Sequence, residues 1–470
     1  MASARVTIGA GRLSVVDVCS VAALDASVAL DASVETPSAS SAFTLQLSAS
    51  SSSLVVRRAV LVLVLHRLLR LHSLQNAEHV ATLLNQQDRT PADVTTLDLP
   101  VALSPADQTA ITNSPLVLLA ETTLAVGGAR ALLPVADAVS AVTCETLRAD
   151  SAAFEAEFVD SARPHRGIVT SAQNLRLMLD GSKYIDSQKE GATDVAAVLC
   201  IPQYHGPARD AVLVAYKAVE AEINSAVGDS AAATRAGAGI HPQALKTALS
   251  ATTEALHVLL QGSVDRLQVV DSKATDAPKS KDAVELVKAT ASALSRELVP
   301  SFKFFEEEEE QLKARLAQKN AKAQEAAAKA AAAAAKEDEK LAAMPEAQRN
   351  KILEKRRKKL EKQKEKESAK KSGKDELKIG LGSQALRQYL MGLGDWQAGL
   401  GKSAFDLRTS SFSQFLDELF VRLGSGGARR KPKIAKGSQD FLPHQMALRE
   451  KIFNKIRMVF KRHAGVEIET

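Results

Sequence analysis

The chain of 470 residues has three cysteines, one tryptophan and only 4% aromatic residues. Cys19, Cys144 and Cys200 are far apart and make no Cys-x-x-Cys pair, so neither a disulfide framework nor a zinc site is expected, and a reducing cytoplasm is the default compartment. Few aromatics beside abundant alanine argue against a β-sandwich and for helices. The nine histidines show no His-Glu-x-x-His and no paired metal spacing. A Gly-x-Ser-x-Gly nucleophile elbow is absent too. Gly399-Leu-Gly-Lys-Ser403 looks like the tail of a phosphate loop, but Trp396 stands where its first glycine belongs. No run approaches the ~20 apolar residues of a membrane span. The most apolar stretch, Ala59 to Leu65, is closed by Arg57-Arg58 and His66-Arg67. Asp17, Asp25 and Asp31 interrupt any secretory signal.

What is present is 45% hydrophobic residues, 25% charged residues and a formal net charge of +6, enough apolar material for a sizeable core and a balance that permits a nucleic-acid partner. Arg5 to Ala22 reads as a short strand, a glycine turn and a helix starting near Ser14. Ser38 to Ser53 reads as a loop. Arg57 to Leu84 is helical and apolar on more than one face, as in a bundle. Gly127-Gly128, Pro164, Gly181 and Pro202 read as turn signals. Ala232 to Gly239 reads as a linker, Pro242 opens a further helix, and a helix from Asp282 is expected to stop at Pro300. Residues 1–300 are therefore expected to form one or two helical subdomains.

Residues 301–375 change character. Glu306 to Glu310 open an alanine-rich tract with spaced lysines, favourable for a helix with acid at its positive end. Beyond Pro345 the chain is almost wholly polar, and a helix polar all round cannot bury itself. Its densest charge, Lys355-Arg356-Arg357-Lys358-Lys359, supplies candidate contacts to RNA phosphates, with a solvated spacer as the bland alternative. Residues 376–428 carry two apolar stripes, Leu377 to Leu393 and Phe412 to Phe420, expected to be the core of a small helical module.

Residues 429–470 hold the densest pattern. Lys436, Gly437, Asp440 and Phe441 precede a helix expected from Leu442 to Arg462. Its apolar face is Leu448, Ile452, Phe453, Ile456, Val459 and Phe460. Val466 and Ile468 then alternate with Glu467 and Glu469 as in a strand. With Arg449, Lys461, Arg462 and His463, this order resembles the entry to the catalytic core of histidyl-tRNA synthetase. The departures are Ser438, Gln439, Leu448 and Ala464-Gly465. The resemblance implies a mainly α chain: a helical extension, a basic helix, and the first helix and strand start of an α+β class II synthetase core. It implies ATP and Mg²⁺ as cofactors, histidine-specific tRNA and a homodimer partner. It also implies a ligase truncated before its active site and inactive alone. The alternative is a non-catalytic RNA-binding or scaffold protein derived from such an extension.

The opening residues resemble a second family as well, the aromatic and histidine ammonia-lyases. Their chemistry needs an Ala-Ser-Gly tripeptide that cyclises into an electrophile, and no Ala-Ser-Gly occurs here. The same opening also resembles that of histidyl-tRNA synthetases with a long extension, and Ala141 to Asp150 and Ile201 to Pro207 fit such an extension loosely.

Overall fold

The computed structural model describes residues 4–22, 26–31, 43–46, 53–86, 96–112, 114–187, 196–225, 242–272, 280, 282–342, 378–393, 405, 410–424 and 443–463. The chain opens with strand β1 (Ala4–Ile8), helix α1 (Val15–Ala22) and strand β2 (Ala26–Leu30), and β1 and β2 pair in parallel. Ser14 starts α1 through a reciprocal cap. Its N–H and hydroxyl donate to Asp17 Oδ2 at 3.0 and 2.7 Å, and the Asp17 N–H donates to Ser14 Oγ at 3.1 Å. Strand β3 (Phe43–Gln46) lies inside the serine-rich stretch read as a loop. It finds an antiparallel partner in β4 (Thr96–Leu99), a pairing across fifty residues that local composition does not encode.

Between them run α2 (Leu54–Arg70) and α3 (Leu74–Asn85), separated by a left-handed residue at His72 (φ 55°). Nearly every residue of α2 from Val56 to Leu69 is buried, as its many-sided apolar pattern requires. The buried Arg58 is tolerated because its guanidinium donates to the carbonyls of Leu84 (3.0 Å) and Val21 (3.1 Å).

The bundle is built around one element. After α4 (Pro105–Thr112), helix α5 (Leu116–Leu147) runs 32 residues through the interior, packed by α2, α7 (Arg166–Leu179) and α9 (Ile201–Ile223). Helices α10 (Gln243–Val270) and α11 (Ala283–Ala342) complete its surroundings. The short α6 (Ala156–Ala162) and α8 (Ala196–Leu199) connect them. Among the described residues α5 is the one helix long and apolar enough to cross a membrane by length and composition. Most of that stretch is buried inside the bundle.

Gly127-Gly128, read as a turn signal, sits in the middle of α5. A Cβ on Gly127 would come within 2.5 Å of Cys19 Sγ, and one on Gly128 within 2.6 Å of Val287 Cγ1. These glycines serve close helix packing. Pro300 is likewise not a stop, because α11 continues through it to Ala342. An interior proline costs about 3 kcal/mol. Burying a phenylalanine side chain returns roughly 2–3 kcal/mol, and Phe302 and Phe305, directly after the proline, are both buried and in edge contact at 6.2 Å.

The expected module after residue 376 contributes α12 (Leu381–Gly392), which packs on α5 and α7, and α13 (Ser410–Gly424). Leu386, Leu390, Phe412, Phe415, Leu416 and Leu419 are buried, whereas Leu381, Leu393 and Phe420 are exposed.

Residues 1–423 form one compact unit and residues 424–470 another. In the second, α14 (Pro443–Arg462) occupies the residues expected for it, and its apolar residues from Leu448 to Phe460 are exposed. The fold class is mainly α. The α+β synthetase core is not supported: both described sheets lie before residue 100, each has two strands, and the strand expected at Val466 falls outside the described residues.

Helices α7 and α9 cross where two glycines meet. A Cβ on Gly167 would lie 2.1 Å from the Gly206 carbonyl oxygen, and one on Gly206 2.5 Å from the Ile168 nitrogen. Backbone cannot yield as a side chain can. Gly167→Ala or Gly206→Ala should therefore lower stability by about 1–3 kcal/mol in urea unfolding. Gly11→Ala, with nothing within 4 Å, should stay within about 0.5 kcal/mol.

Candidate functional site

Helix α5 presents buried polar groups that its apolar sequence does not advertise. The Asp137 carboxylate, fully buried, accepts from Ser171 Oγ at 2.8 Å and Asn174 Nδ2 at 2.7 Å on α7. On α9 it accepts from His205 Nδ1 at 2.8 Å and Arg209 Nη2 at 2.5 Å. Burial alone would raise its pKa, but the Arg209 charge and these donors hold the carboxyl below the usual range. Because an ionised carboxylate only accepts, His205 carries its proton on Nδ1 and presents Nε2 as a lone pair. Nε2 is buried and has no hydrogen-bond partner among the described residues. Burial pushes the His205 pKa down; Asp137 opposes that, while Arg266 and Arg209 add to it.

Two further carboxylates tie α5 to its neighbours. Glu297 of α11 takes a bidentate contact from Arg266 (Nε 2.7 Å, Nη2 3.1 Å), with Ser263 Oγ at 2.7 Å and Thr143 Oγ1 at 2.8 Å. Glu145 accepts from the Gly380 N–H at 2.6 Å and from the Ser383 hydroxyl. Asp137, His205, Arg266 and Glu297 have no exposed surface, so a substrate does not reach them. The seam is a bolt through the bundle.

An accessible site needs space. A cavity of about 340 Å³ opens between α1, α5, α9 and α13. Val15, Phe412 and Leu416 line its apolar wall; Arg130, Tyr216 and Asp417 are the polar groups that bear on its chemistry. The Arg130 guanidinium lies 4.3 Å from the centre of the Tyr216 ring, and Arg130 and Glu220 both hydrogen-bond the Tyr216 side chain. Cys19 also lines the cavity, but burial pushes its thiol up to about 12, so it is no nucleophile. A larger open cleft at the end of α9 includes Arg12, Arg70 and Lys217. Its arginines are already engaged: Arg12 with Glu220 at 2.8 Å, Arg70 with the carbonyls of Asn224 and Ser225 at 2.9 Å.

Among the described residues no group of three or more His, Cys, Asp or Glu could hold a metal ion. The candidate RNA contacts Lys355, Arg356, Arg357, Lys358 and Lys359 lie outside the described residues, as do Lys436, Gly437, Asp440 and Phe441. Arg449, Lys461, Arg462 and His463 are exposed on or beside α14. The Asp137–His205 pair escaped sequence reasoning because its members are 68 positions apart with no local signature.

Comparison with known proteins turns the assignment. The family model for aromatic amino acid lyase matches residues 89–288, from before α4 to within α11. The chain is 39% identical to histidine ammonia-lyase of Caldanaerobacter subterraneus over 127 residues, covering 27% of this chain and 25% of that one. The cytoplasmic histidine–tRNA ligase of Oryza sativa is 26% identical over 364 residues, 72% of this chain and 44% of that one. Histidine ammonia-lyase from Trypanosoma cruzi covers 64% of this chain and 84% of its own at 14% identity, with a TM-score of 0.47. The chain spans about a quarter of the length of the first lyases it matches.

These findings correct the reading as a histidyl-tRNA synthetase, which rested on the terminal residues 429–470. A basic amphipathic helix constrains few positions, whereas the lyase match runs across α5, α7, α9 and α10, where packing constrains many. The ligase activity, ATP and Mg²⁺, the histidine-specific tRNA and the homodimer partner fall with that reading. So does its alternative, an RNA-binding or scaffold protein derived from a synthetase extension. Ala141 to Asp150 and Ile201 to Pro207 belong to the lyase-like segment.

Asp137→Ala leaves the buried His205 and the half-buried Arg209 without their acceptor, and should cost about 3–5 kcal/mol in denaturant unfolding. The folded His205 pKa lies below its unfolded value, so the unfolded state binds more protons as pH falls, and His205 contributes stability that is full at neutral pH and lost on acidification. Unfolding free energy should therefore drop as pH falls below about 6.5, and His205→Asn should flatten that slope.

Proposed function

We propose that the chain is a protein of the ammonia-lyase type that binds a free amino acid with a flat apolar side chain, L-histidine first. The observation that carries this reading is that Arg130 and Asp417, opposite in charge, both line one cavity with an apolar wall. A zwitterion offers a carboxylate to the arginine and an ammonium to the aspartate, and its side chain lies against Val15 and Leu416. Pockets of about 300–1,000 Å³ with mostly apolar walls and a few placed polar groups suit ligands of this size. The lyase match supports the ligand class, because Gly127, Arg130 and Tyr216 fall inside residues 89–288. The three cysteines, all free thiols, support a cytoplasmic location.

Isothermal titration of L-histidine and L-phenylalanine into the purified chain tests the reading. Binding should be detected, and Arg130→Ala and Asp417→Asn should each weaken it at least about tenfold, the loss of one charge-assisted contact. Unchanged affinity in both variants would sink the cavity as the site.

A further inference from the structure

We infer that this chain binds its amino acid without eliminating ammonia from it, an inference that rests on the reading above for the ligand and on the sequence for the chemistry. The electrophile of the lyases arises from Ala-Ser-Gly, and none of the 470 residues spells that tripeptide. Cyclisation of that kind needs a glycine after the serine, whose nitrogen can attack the carbonyl carbon of the residue before the serine. Ser-Gly occurs at 372–373, after Lys371, and at 425–426, after Gly424. Both lie outside residues 89–288 that match the lyase model. The lyase-like segment thus lacks the residues that would make the group.

Nor does the cavity offer a substitute. Ammonia leaves an α-amino acid only when the amine is made a leaving group and a β-proton is removed. Arg130, Asp417, Ser413, Tyr216 and Cys19 line the space. None is an electrophile. A carboxylate beside the ammonium holds the nitrogen protonated and bound, but the bond from nitrogen to carbon stays intact. The Asp137–His205 pair, the best-formed base in the bundle, is sealed from the cavity's solvent by complete burial. The assembly is therefore suited to reversible capture of the amino acid.

The test uses the full chain. Its intact mass should equal that of its sequence, with none of the water loss that cyclisation and dehydration entail. Prolonged incubation with L-histidine should give no α,β-unsaturated acid above the protein-free blank, while calorimetry on the same sample records binding. Formation of the unsaturated acid, or a dehydrated peptide spanning 371–373 or 424–426, would overturn the inference and leave amino-acid binding standing. An unmodified mass with no product and no histidine binding would instead remove the binding reading, while the inferred lack of elimination chemistry would hold.

Discussion

A single carboxylate pins the bundle. Asp137 sits about two-thirds of the way along α5 and receives four donors, two from α7 and two from α9, all within 2.8 Å. An ion this deep is tolerated only when its lone pairs are filled, and here they are. Four hydrogen bonds to one group also fix the relative rotation and height of three helices, which apolar contacts alone leave free to slide. The glycine crossing of α7 and α9 at Gly167 and Gly206 follows from that registration, since backbones in contact admit only one height. Glu297 and Glu145 repeat the device towards α10, α11 and α12.

The cavity inherits its shape from this arrangement. Arg130 and Gly127 lie on the same helix as Asp137, and Tyr216 lies on the helix that carries His205 and Arg209. Locking α5 to α9 thus sets how far Arg130 stands from Tyr216. The rigid seam and the open space are two consequences of one set of contacts. The charge that holds the frame is buried at Asp137, and the charges of Arg130 and Asp417 line the open space.

The short terminal stretch misled because its signals are local. Lys-Gly-x-x-Asp-Phe followed by an amphipathic helix can be read residue by residue, and the helix does form over Pro443–Arg462. The lyase-like segment carries its information in the fit between helices far apart in sequence, and its matches at Ala141 and Ile201 look slight when taken singly. The missing Ala-Ser-Gly bears on the chemistry of the lyases and not on their fold. A helical body is stabilised by its core, and core packing does not depend on whether a given tripeptide is present.

Helical class, the cap at Ser14, the buried character of α2 and the extent of α14 were determined by the sequence alone. Each depends on hydrophobic period or on a side chain bonding a neighbour three residues away, interactions complete within a turn or two. Tertiary structure decided the rest. Pro300 passes inside a helix because Phe302 and Phe305 find a core to enter; Gly127-Gly128 is a packing notch because Cys19 and Val287 arrive from elsewhere. Asp137 meets His205, and Arg130 shares a cavity with Asp417, only once the helices are assembled. Contacts across such separations have no signature along the chain, because the energy that selects them exists only when distant surfaces are buried together.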